Sequence, residues 1–119
     1  MNREFQPHQI LYLESGGARL YAEAIQIVKS RQLAWVRPIM LASASSVDPS
    51  LGPTLYDMRN GADLLWPIAL FRPALDTEVI PLLVQLEVHQ TDKLGPPPAA
   101  QKLRAFVEQV WLDHQNVFQ

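Results

Sequence analysis

Alternation of apolar and polar positions is strongest over residues 10–41, with the two-residue period of half-buried strands. Ile10-Leu11-Tyr12-Leu13 and Leu20-Tyr21-Ala22 flank a Gly16-Gly17 pair. Two glycines supply the positive φ that a two-residue hairpin loop needs at both central positions. That turn fixes a register in which Glu14 faces Arg19, Leu13 faces Leu20 and Tyr12 faces Tyr21. The result is one ion pair, one aliphatic pair and one aromatic pair, each contributing about 0.2–1 kcal/mol. A second turn falls at 29–32. With Ser30-Arg31 as its loop, Val28 faces Leu33, Gln26 faces Trp35 and Ile25 faces Val36.

Strict alternation through this meander sorts its side chains onto two faces. The first gathers Leu11, Leu13, Leu20, Ala22, Ala24, Val28, Leu33, Trp35, Arg37, Ile39 and Leu41, and is the expected core. The second gathers Ile10, Tyr12, Tyr21, Ile25, Ile27, Ala34, Val36 and Met40, with Glu14, Arg19 and Glu23 near one end. It is too apolar to be wholly wet, so a helix or a second subunit is expected over part of it.

Residues 42–53 are small, polar and proline-bearing, as in a surface loop. Residues 55–59 and 62–66 flank Asn60-Gly61, a strong hairpin signal, and Pro67 ends or edges the second arm. Asp76-Thr77-Glu78 resembles a helix start. Leu75, Val79, Leu82, Leu83 and Leu86 then form a helical stripe, although Ile80, Leu82, Val84, Leu86 and Val88 also alternate as a strand would. With Thr77 as cap, Pro81 falls in the first turn, where it is tolerated, and the reading over 77–88 is helix. Gly95-Pro96-Pro97-Pro98 makes 91–98 a stiff connector. Ala99, Leu103, Phe106, Val107, Val110, Trp111, His114, Val117 and Phe118 recur at three- and four-residue steps, predicting an amphipathic helix of about five turns. The expected fold is α+β, a single domain over 1–119 with residues 1–8 flexible. Its antiparallel sheet has about five strands (two hairpins plus a meander strand), with a short helix and a long C-terminal helix.

A chain of 119 residues can bury a core without disulfides or metals. Charged residues make up 18%, below the usual ~25%, which suggests that some surface is covered, as in a homodimer. The net charge is −2 and the pI near 5.8, with no basic stripe, which argues against nucleic acid. There is no basic amphipathic helix, long apolar run or signal-peptide core, so no membrane role and a cytoplasmic location are expected. The absence of cysteine excludes thiol catalysis and cysteine-ligated zinc.

Catalytic patterns are missing too: there is no Gly-rich phosphate loop, HExxH or GxSxG. His8, His89 and His114 are scattered, and His114 has only Asp113 close by in sequence. In the second hairpin Asp57 and Asp63 fall on opposite faces, unlike converging catalytic carboxylates. Ser43, Ser45 and Ser46 have no nearby histidine. No catalytic, cofactor or metal site is expected. What stands out is arginine beside aromatic residues in Ala34-Trp35-Val36-Arg37-Pro38 and Ala69-Leu70-Phe71-Arg72-Pro73. The plain reading is surface charge at strand ends. The functional one is an aromatic–arginine pairing common at interfaces. Trp35, Trp66 and Trp111 are most simply core, with Trp66 suited to wall a groove at a sheet margin. The expected partner-binding set is Trp35, Arg37, Tyr56, Arg59, Trp66, Phe71 and Arg72. The sheet edge would offer backbone bonds, the aromatics apolar anchors and the arginines carboxylate partners. This reads as a non-enzymatic adaptor or assembly chaperone. Two other classes remain open, a small-molecule sensor or enzyme with a pocket between helix and sheet, and a structural subunit of a larger complex.

RQLAWVRPIML (31–41), LYDMRNGADLLWP (55–67) and FRPALDTEVIPLL (71–83) resemble small cyanobacterial proteins, among them the CcmS family of carboxysome shell assembly factors. The resemblance covers about a third of the chain. It implies a non-enzymatic α+β protein, carboxysome-associated, that binds a short segment of a shell protein and helps arrange shell assembly.

Overall fold

Gly16 and Gly17 take φ of 58° and 80°, and the strands they join, β1 (Ile10–Ser15) and β2 (Ala18–Val28), pair in the register expected from the turn. The computed structural model describes residues 5–43, 54–59, 61–90 and 99–115. The second turn is a 3-10 turn, Lys29–Arg31, closed by Gln32 at a left-handed φ of 56°. It leads into β3 (Leu33–Ser43), and Val28↔Leu33 and Gln26↔Trp35 pair as expected. Val36, however, faces Ala24 rather than Ile25. Ile25 is an extra residue on β2, and Ile39 is an extra residue on β3 that restores the register.

Each bulge flips the alternation beyond it. Ala34 and Val36, expected on the second face, are fully buried in the first, and Ile27 packs beside them. Trp35, Arg37, Leu33 and Val28, expected in the core, lie on the second face, and Ile39 joins the second cluster. Outside the bulged stretch the expected faces hold. Leu11, Leu13, Leu20, Ala22, Ala24 and Leu41 form one core, and Ile10, Tyr12, Tyr21 and Met40 the other.

The second hairpin does not form. β4 (Thr54–Asp57) and β5 (Leu64–Pro67) both pair antiparallel with β3, end to end, and not with each other. β4 faces Met40 to Ser43 and β5 faces Leu33 to Val36; the Met58 N–H still donates to the Ile39 carbonyl (2.9 Å), and the chain then leaves β3 until Leu64 while β3 itself advances only through 37–39. Asn60 lies outside the described residues. The Gly61 N–H donates to the Met58 carbonyl (3.0 Å), so the glycine turns an excursion from one edge strand rather than a hairpin. Pro38 is the physical reason. The Ile68 N–H donates to the Gln32 carbonyl (2.9 Å), which sets the sides of β3. By alternation residues 34 and 36 bond toward β5, and Pro38 would be next, but it has no N–H to give.

After β5 a 3-10 turn, Ile68–Leu70, leads the chain beneath the first face, where Phe71 is completely buried. It emerges at the far edge as β6 (Arg72–Pro73), which pairs with β1 and makes a sixth strand. Helices α1 (Asp76–Gln90) and α2 (Ala99–Asp113) are both 15 residues long, not one short and one long. They lie on opposite faces. Val79, Leu82, Leu83 and Leu86 of α1 cover Tyr21, Met40 and Ala42, while Leu103, Phe106 and Val110 of α2 cover the first face. Pro81 lies in the second turn of α1, exposed, where it deprives the Thr77 carbonyl of its helical donor. Trp111, expected in the buried stripe, is half exposed. Val117, Phe118 and the 91–98 connector lie outside the described residues, as does the expected 42–53 loop beyond Ser43, where β3 ends.

Of residues 1–8, expected to be flexible, the structure describes 5–8. Phe5 is buried in the first core, and the His8 N–H donates to the Ala24 carbonyl (2.6 Å) beside the Ile25 bulge. At the other end of the sheet, Glu78 ties α1 down. It accepts from the Tyr21 hydroxyl (2.8 Å) and from the Arg19 guanidinium, which also lies over the Tyr12 ring (4.6 Å).

Burial, with the bond to Glu78, pushes the Tyr21 phenol up to about 12. A raised folded pKa means that this group's contribution is whole below the unfolded value near 10 and is lost as pH rises toward about 12. Alkaline titration of tyrosinate absorbance is expected to show one late ionisation that Tyr21→Phe removes. Phe71→Ala is expected to lower unfolding stability in urea by about 3–5 kcal/mol. Arg72→Ala, one residue on and exposed, is expected to change it by less than about 0.5 kcal/mol.

Candidate protein-interaction surface

The two bulges turn Trp35 and Arg37 outward onto the half of the second face that α1 leaves bare. Trp35 stands opposite Leu65. Since residues 34 and 36 bond toward β5, this is a non-hydrogen-bonded pair, the kind in which side chains come closest. Both are exposed, Trp35 at 38% and Leu65 at 55%. Half-buried Leu33, Val28 and Pro67 continue the apolar strip toward the 29–32 turn.

Asp63, at the end of the excursion, borders the strip on the other side. Its Oδ2 accepts from the Trp35 indole N–H (2.9 Å), and its two oxygens accept from Arg37 Nε (3.1 Å) and Nη2 (3.3 Å). The Arg37 fork, then the indole, holds the Asp63 carboxyl below its ordinary 3.8. Asp63 raises Arg37 in return. Glu23 faces Arg37 across the β2–β3 ladder, and its Oε2 lies 2.8 Å from His8 Nδ1. Trp35 is thus an exposed aromatic side chain fixed in orientation by a polar network.

The adjoining edge is open. The alternation that aims residues 64 and 66 at β3 aims the Leu65 N–H and C=O and the Pro67 C=O outward, and no described strand lies beyond them.

Of the seven residues singled out from sequence, only Trp35 and Arg37 share this surface. Trp66 reaches the same edge from the opposite face, half-buried against the first core. Tyr56 also packs there, with Lys102 Nζ 5.7 Å from its ring. Phe71 is fully buried and presents nothing to a partner. Arg59 is held by Asp57 (3.0 Å) and Glu87 (2.5 Å), and Arg72 sits on β6 at the far edge. Asp63 and Leu65 were missed, because a hairpin around Asn60-Gly61 sends them away from β3. The signal against that hairpin was Pro38, inside a run that otherwise reads as a central strand.

Asp57 and Asp63 each chelate a separate arginine and do not converge. Among the described residues no group of three or more His, Asp or Glu side chains could hold a metal, and no helix is long and apolar enough to cross a membrane. No protein-family model, no curated protein and no solved structure matches the chain.

Because Arg37 and Trp35 favour the ionised carboxylate, the Asp63 contribution is present above the ordinary value of 3.8 and is lost as pH falls through a lower midpoint. Carboxyl NMR titration is expected to place the Asp63 midpoint below 3.8, and Arg37→Ala to return it toward that value.

Proposed function

We propose that this chain is a non-enzymatic protein-interaction module, an adaptor or assembly chaperone of the cytoplasm, which works as a homodimer and seats a short segment of a partner protein on the open edge of β5. The observation that carries this reading is the outward aim of the Leu65 N–H and C=O and the Pro67 C=O along a free edge. β5 has only four residues, and Pro67 contributes no donor, so the edge suits a short segment. Trp66 on one face and the Leu65–Trp35 pair on the other wall this seat. Arg37 and Arg59 are already paired within the fold, so recognition rests on backbone and apolar contacts more than on arginine–carboxylate pairing. The likeness to carboxysome shell assembly factors supports a shell protein as the source of the segment.

Leu65→Pro removes the outward N–H and leaves the bonds toward β3 intact. Binding to immobilised peptides tiled across carboxysome shell proteins is expected to select a short segment. Leu65→Pro is expected to weaken that binding by about tenfold or more, and Leu65→Ala by less. Equal binding by Leu65→Pro and wild type would overturn the edge as the seat.

A further inference from the structure

We propose that the bare half of the second face receives a second copy of this chain, sheet against sheet, about a two-fold axis lying between the sheets and across the strands. This rests on the dimeric part of the reading above and assigns it the sheet face that adjoins the β5 edge.

Shape is the first argument. α1 covers the half of the face above Tyr21, Met40 and Ala42 and stops short of the half carrying Leu33, Trp35 and Arg37. A helix layer is about 10–12 Å thick and facing sheets sit about 10 Å apart, so a second sheet on the bare half lies level with α1. Rotation about an axis across the strands lays each bare half on the other. Each 29–32 turn then abuts the step where the other copy's α1 begins.

Charge is the second argument, and it selects this axis. The turn carries Lys29 and Arg31. Around the step stand Glu23, Asp57, Asp63 and Glu87, four carboxylates against the two guanidinium groups of Arg37 and Arg59. Reversed strands set the basic turn against the acidic step. An axis along the strands would set turn against turn, with like charges facing. Arg31 is exposed and has no hydrogen bond or ion pair among the described residues, so it is free to meet a carboxylate from another copy.

The third argument is preorganisation. Tryptophan is enriched among the residues that anchor interfaces, and one already held by a hydrogen bond loses less entropy on burial. Trp35, tied to Asp63, meets both conditions. A two-fold contact places the same strip on both sides, so the match is self-complementary.

Sedimentation equilibrium over about 1–100 µM tests the interface. Wild-type mass is expected to rise from 13.5 kDa toward twice that value. Trp35→Glu is expected to abolish the rise. Arg31→Glu, an exposed turn substitution that disturbs no internal bond, is expected to weaken association several-fold, and adding Glu23→Lys to it to restore part of the loss. Circular dichroism confirms that each variant is folded. A wild-type mass fixed at 13.5 kDa would overturn the proposal, as would unchanged association in both Trp35→Glu and Arg31→Glu. Peptide capture by the β5 edge is read separately. Arg31→Glu that loses association yet still binds the segment separates this interface from the edge, and failure of Leu65→Pro to affect binding leaves the interface standing.

Discussion

Which residues of β3 face inward depends on two inserted residues, Ile25 and Ile39, that belong to no pair in the β2–β3 ladder. Between them the pleat is displaced by one position, and every side chain of the stretch changes side. Ala34 and Val36 are thereby placed in the first core, where they are completely buried, and Trp35 and Arg37 are placed in the open. Without the displacement Trp35 would enter the core and the two smaller side chains would face outward. The first core and the exposed tryptophan are therefore two results of one irregularity. The docked stretch from Phe5 to Gln9 braces it, bonding to Ala24 from the side where β1 has ended.

Pro38 extends the same logic to the neighbouring edge. Its missing donor leaves a gap between β4 and β5, where the chain leaves β3 after Met58 and returns at Leu64. The loop returns with Asp63 positioned to take both the indole N–H of Trp35 and the fork of Arg37. A proline in one strand, an acidic residue at the end of a loop and a tryptophan on an exposed face thus form one mechanical unit. The ion pairs at the two ends of α1, Glu78 with Arg19 and Glu87 with Arg59, hold the helix over one half of the face and leave that unit uncovered.

Sequence periodicity made much of this fold legible. The Gly16-Gly17 register, both helices and the separation of Leu11 and Leu13 from Tyr12 and Tyr21 all follow from local pattern. The bulges were not legible, because a run of alternating apolar residues reads equally well in either phase, and Ile25 and Ile39 suit both faces. Asn60-Gly61 misled for a different reason. The dipeptide promotes a reversal but does not decide whether the arms pair with each other or with a third strand already in place. Long-range competition settled that, and β3 won. The candidate surface inherited both errors. Trp35 and Arg37, close in sequence, do lie on one face, while Asp63 and Leu65, which give the pair its orientation and its apolar neighbour, belong to the second arm of the misread hairpin.

The break between β4 and β5 has another effect. An uninterrupted edge opposite the whole of β3 would expose a long row of unpaired backbone groups, the template on which identical chains stack into fibrils. Here the row is broken into two four-residue stretches, one of them ending in a proline. A brief strand can still dock on such a stretch, but a growing ladder meets a gap after a few bonds and cannot propagate. The sheet can therefore keep a sticky margin at high concentration without the chain polymerising through it.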